Sequence, residues 1–101
     1  AARLALKMLK SLPPSWELVE DERGLLDELR SELGQLHPLF GAPLRVLARS
    51  LESDEVLFEV LDGSERLVQV HLTWSRNPEI DGEWPGFRFY SNELEWIASI
   101  E

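Results

Sequence analysis

The hydrophobic positions change period along the chain. Leu25, Leu26, Leu29 and Leu33 recur at spacings of three and four, with Asp27, Glu28, Arg30 and Glu32 on the other side. That pattern predicts an amphipathic helix. Asp21 is placed to cap it, Glu22 to meet the positive end of its dipole, and Gly34 to close it in a left-handed conformation. Pro38, Gly41 and Pro43 make the following residues a structured connection rather than more helix. Upstream, Pro13-Pro14 interrupts the chain and Trp16 to Val19 reads as a short extended piece.

From Leu44 the period becomes two. Leu44, Val46 and Ala48 alternate with Arg45, Leu47 and Arg49, and Val56, Phe58 and Val60 alternate with Glu55, Leu57, Glu59 and Leu61. Asp62-Gly63-Ser64-Glu65 is a turn signal. After it Val68, Val70, Leu72 and Trp74 share one face, and Leu67, Gln69, His71 and Thr73 the other. Gly86 to Tyr90 reads as a fourth strand, with Phe87 and Phe89 opposed to Arg88 and Tyr90. Asn92, with Glu95 three residues on, then starts an amphipathic helix through Leu94, Trp96, Ile97 and Ile100. The predicted fold is α+β: an antiparallel meander of three to four strands with an N-terminal and a C-terminal helix packed on it. Arg45 and Arg49 are placed to pair across the sheet with Glu55 and Glu59. Leu47, Leu57, Leu61 and Leu67 fall on the second face and need cover. One helix on each side supplies it; with both helices on one side, a homodimer would.

The length, 101 residues, allows a single domain with its core in 16–100; residues 1–11 read as an extra helix or a leader. Without cysteine there is neither a disulfide framework nor a thiolate site. No apolar run approaches the roughly 20 residues of a membrane span, and with no export signal the expected location is the cytoplasm. Nineteen acidic against ten basic residues give a net charge of -9. Such a surface repels phosphate backbones and favours a basic protein partner.

Candidate chemistry is sparse. His37 precedes Pro38 in a loop, which suits a surface or capping role. His71 lies mid-strand beside Thr73, and these two mark an alternative small-ligand or enzymatic site, with Glu79 as the carboxylate that folding would bring close. No metal-ligand spacing, phosphate-cradling loop or nucleophile elbow occurs, so no catalytic residue, metal or cofactor is assigned. Of the four tryptophans, Trp74 and Trp96 read as core. Trp84 sits among Glu79, Asp81 and Glu83, where an aromatic rimmed by acids reads as an interface anchor as well as a core residue. Together with Arg76 these form the candidate partner-binding set.

The segments His37-Pro38-Leu39, Asp62-Gly63, His71-Leu72-Thr73-Trp74-Ser75 and Trp84-Pro85 together resemble a family of small, acidic, uncharacterised bacterial proteins. The resemblance spans about His37 to Trp96, and the HLTWS and WP segments are its most specific parts. It implies a single-domain fold and a cytoplasmic location but no chemistry. Size and acidity are similar in type to those of immunity proteins that neutralise toxins. The expected function is a non-enzymatic protein-binding domain of that kind.

Overall fold

The computed structural model describes residues 12–19, 23–74 and 85–100. The expected leader, Asp21 and Glu22 lie outside them. Within the described residues the order is β1 (Trp16–Leu18), α1 (Arg23–Glu32), β2 (Leu44–Ser50), β3 (Glu55–Val60), β4 (Leu67–His71), β5 (Gly86–Tyr90) and α2 (Glu93–Ile100). The strands form one antiparallel sheet in the order β1-β2-β3-β4-β5. The predicted α+β meander with a helix from each end of the chain is therefore the observed fold. The short extended piece at Trp16 supplies a further strand, pairing Trp16 with Ser50 and Leu18 with Ala48.

One helix covers each face. On the first face Val46, Val56, Phe58, Val68 and Val70 meet Leu29 and Leu33 of α1 and Leu39 of the connection after it. On the second, Leu47, Ala48, Leu57, Leu67 and Tyr90 meet Trp16 and Trp96. The two indoles pack edge to face with centroids 5.0 Å apart, a favoured aromatic geometry. The leucines that called for a partner are thus covered by the chain itself, except Leu61, which stays exposed beyond the end of β3.

Strict alternation in β2 fails at a bulge. Val46 faces Phe58 and Ala48 faces Leu57, so Leu47 is the extra residue and both Leu47 and Ala48 join the second core. The slip also carries Arg49 into register with Glu17, whose Oε1 accepts from Arg49 Nε at 2.6 Å. The expected pairs with Glu55 and Glu59 do not form. Glu55 is engaged elsewhere, and Glu59, though opposite Arg45, keeps Oε1 buried without a hydrogen-bond partner.

Three further expectations change. Among the described residues Gly41 (φ 75°) and Gly63 (φ 86°) are the left-handed glycines, rather than Gly34. Glu28 and Glu32, placed by periodicity on the polar side of α1, are buried. His37 is buried as well. Its Nδ1 accepts from Leu39 N at 3.0 Å, which leaves Nε2–H to donate to the Pro85 carbonyl at 2.8 Å. The ring thereby caps its own turn and ties the connection after α1 to the start of β5. At α2 the cap forms as predicted, with Glu95 N donating to Asn92 Oδ1 at 2.9 Å, while Glu95 Oε1 reaches back to Ser91 N.

The β3–β4 turn carries a pH signature. The Ser64 side chain and then its backbone N–H (2.9 Å to Oδ1) hold the Asp62 carboxyl below its ordinary value of 3.8 against an opposing effect of desolvation, and Arg66 adds a weaker lowering. Because the folded value is the lower one, this contribution to stability is present above pH 3.8 and is lost as pH falls through the folded value. A carboxyl-detected NMR titration is expected to place the Asp62 midpoint below 3.8, and Ser64→Ala to move it upward. A midpoint at or above 3.8 in the parent chain would contradict the turn geometry.

Candidate functional site

Two arrangements at one end of the sheet stand out from ordinary packing. The first is a chain of hydrogen bonds leading from the second core to the surface. The indole of Trp96, fully buried in α2, donates Nε1–H to Gln69 Oε1 at 2.8 Å. Gln69 then donates Nε2–H to Glu55 Oε2 at 3.1 Å, and Glu55 Oε1 lies 3.2 Å from Nδ1 of exposed His71. The register explains the series, since Glu55 faces His71 and Leu57 faces Gln69 across the hairpin. An ionised carboxylate only accepts, so Nδ1 is the donor, and the tautomer with its proton there has Nε2 as the acceptor.

Beside this series lies a hollow of about 440 Å³ lined by Glu55, Gln69, His71, Gly86, Arg88 and Tyr90. Gly86 stands opposite His71 and Arg88 opposite Gln69, so the missing side chain opens the floor and the guanidinium forms a wall. Arg88 sits over the Tyr90 ring, 5.7 Å from its centroid.

The second arrangement joins the two layers. Glu32, the last residue of α1, is fully buried. Its Oε1 accepts from Thr73 N and Thr73 Oγ1, both at 2.8 Å, and its Oε2 accepts from Trp74 N at 2.8 Å. These bonds hold Trp74 at φ 59°, a left-handed backbone that bulky residues rarely adopt. The indole is turned outward, 47% exposed, with Nε1 donating to Asp54 Oδ1 at 3.3 Å. Trp74 is therefore a surface residue and not the core residue that alternation suggested, because β4 ends at His71 and the chain turns before reaching it.

Of the residues singled out in sequence, His71 lines the hollow and Thr73 does not: Thr73 is tied to Glu32 under the opposite helix. Arg76, Glu79, Asp81, Glu83 and Trp84 lie outside the described residues. Sequence reasoning passed over Glu55, Arg88 and Glu32. A hairpin symmetric about Gly63 already places Glu55 opposite His71, so that signal was present. Glu32 follows Leu29 by three residues and so lies on the flank of the apolar stripe. Arg88 had no such signal, because the long β4–β5 connection leaves the register open.

Among the described residues no cluster of three or more His, Asp or Glu side chains can hold a metal ion, and no helix is long and apolar enough to cross a membrane. The class of protein so defined is a small α+β domain whose described residues show no evident catalytic or metal-binding centre. Compared with known proteins, the chain matches no family model, no curated protein and no solved structure.

Proposed function

We propose that this is a non-enzymatic protein-binding domain that docks a basic protein, with Trp74 as its anchor. One observation carries the reading: a large aromatic is held outward on a strained backbone by a buried carboxylate. A left-handed backbone at a non-glycine residue costs about 1–3 kcal/mol and persists where the surroundings impose it, often at functional positions. Tryptophan is also the residue most enriched among binding hot spots. Asp54 at the indole edge and the net charge of -9 favour a cationic partner and speed its encounter. Glu79, Asp81, Glu83 and Trp84, following Trp74 in the chain, add acidic and aromatic character to the same segment. Neutralisation of a basic toxin in the bacterial cytoplasm is the most concrete form of this role.

The test is affinity capture from the native host at low and at physiological salt, followed by measured affinities for the recovered protein. A basic partner is expected, bound about thirtyfold more weakly by Trp74→Gly, the equivalent of a 2 kcal/mol hot spot. Glycine accepts the left-handed backbone, so the same variant should keep or raise the melting temperature. No partner at either salt would refute the proposal. So would a partner whose affinity is unchanged by Trp74→Gly and by charge reversal at Glu79, Asp81 and Glu83.

A further inference from the structure

We propose that the hollow between His71 and Arg88 binds a small carboxylate carrying a hydrogen-bond donor on its α-carbon, an α-amino or α-hydroxy acid. The site uses none of the contacts of Trp74 and does not depend on the protein-binding reading.

The two walls specify the two ligand groups. No carboxylate among the described residues pairs with Arg88, whose guanidinium lies over the Tyr90 ring. A contact with the ring uses none of the guanidinium N–H groups in a hydrogen bond and leaves the fork for an acceptor of matching shape, a carboxylate bound through both oxygens. The opposite wall offers the reverse polarity. Glu55 accepts a hydrogen bond from Nδ1–H of His71, so in that tautomer Nε2 calls for a donor from the ligand. Arg88 and His71 lie on one face of paired strands, one register step apart, with Gly86 leaving open the space across from the imidazole. Diagonal positions of this kind are about 7–8 Å apart, which one small molecule can bridge. The hollow, of about 440 Å³, is open to solvent and has room for a molecule of this size.

The site is built to hold its shape. Both Glu55 oxygens and both ends of the Gln69 amide are engaged, and the series is anchored on the buried Trp96 indole. His71 therefore has a fixed tautomer, in the way that a second carboxylate orients a metal-bound or catalytic imidazole. The net charge of -9 disfavours anions at long range, yet that field is screened beyond about 8 Å at physiological salt, whereas Arg88 acts at contact. Glu55 further discriminates against a ligand bearing a carboxylate alone and favours one that brings an ammonium or hydroxyl to the His71 side.

The experiment is an NMR titration of the full chain with alanine, lactate and propionate, which share a size and differ at the α-carbon. Saturable shifts at the His71 ring and the Arg88 side chain are expected with alanine, lactate or both. Propionate should bind roughly tenfold more weakly, the loss of about one good hydrogen bond. Alanine alone assigns the donor as an ammonium, lactate alone as a hydroxyl. Arg88→Gln should abolish binding, His71→Phe should bring the best ligand down to the level of propionate, and Trp74→Gly should change nothing. The absence of saturable shifts with all three compounds overturns the proposal. It is equally overturned if propionate binds as tightly as the others, or if Arg88→Gln leaves the titration intact.

Discussion

Trp96→Ala is expected to remove about 3–5 kcal/mol of stability, the range for emptying a buried tryptophan site. For a domain of this size that is a large part of a total of about 5–15 kcal/mol, and the melting temperature should fall by roughly 20 °C. Three losses combine. The second core loses its largest fully buried side chain, Trp16 loses its edge-to-face partner at 5.0 Å, and Gln69 Oε1 loses its donor. Neighbouring leucines cannot refill the space, because Leu47, Leu57 and Leu67 are fixed on the sheet by register. Trp96→Phe separates packing from hydrogen bonding. It keeps most of the apolar volume, and its cost should be nearer 1–2 kcal/mol, mainly the orphaned Gln69 oxygen. Denaturant unfolding of both variants is the measurement; a loss below 1 kcal/mol for Trp96→Ala would mean that α2 does not hold the second face.

That dependence was half visible in the sequence. The alternation of β3 and β4 left Leu57 and Leu67 needing cover, and the spacing of α2 offered Trp96 to supply it. What the pattern could not carry was the bulge at Leu47. One extra residue changes neither composition nor hydrophobicity, yet it moves Ala48 to the other face and hands Arg49 to Glu17. Polarity misled in a similar way at Glu32 and His37. Period analysis assigns a charged or polar side chain to solvent, but either can be buried when donors and acceptors converge on it from distant segments. Thr73 and Trp74 lie 41 and 42 residues from Glu32, and Pro85 lies 48 from His37. Such partners come together only once the layers have packed. Local patterns report local geometry, so the hairpin partner of His71 was readable and the wall formed by Arg88 was not.

Glu32→Ala should cost about 2–3 kcal/mol. Hydrogen bonds to a charged group contribute about 1.5–3 kcal/mol each when their partners have no substitute. Three such bonds converge here, which by simple addition would exceed the effect of Trp96→Ala. The sum is too large, because Thr73 and Trp74 are exposed and their freed donors can turn to water. The change also releases the strain at Trp74, returning part of the 1–3 kcal/mol that a left-handed backbone stores. The damage should accordingly be more local than global. Amide exchange at Thr73 and Trp74 is expected to quicken by more than tenfold, while amides of β3 and β4 lose protection only in step with global stability. Glu32→Gln sharpens the test. Its carbonyl can still serve Thr73, but its NH2 then confronts the N–H of Trp74, donor against donor, so Trp74 should loosen while Thr73 stays protected. A double-mutant cycle with Trp74→Gly completes the argument. Once glycine has relieved the strained position there is no strain left to return, so Glu32→Ala should cost measurably more than in the parent chain. If the two changes simply add, and if Trp74 exchange is indifferent to Glu32→Gln, the buried carboxylate does not hold the tryptophan, and the case for Trp74 as a preorganised anchor fails with it.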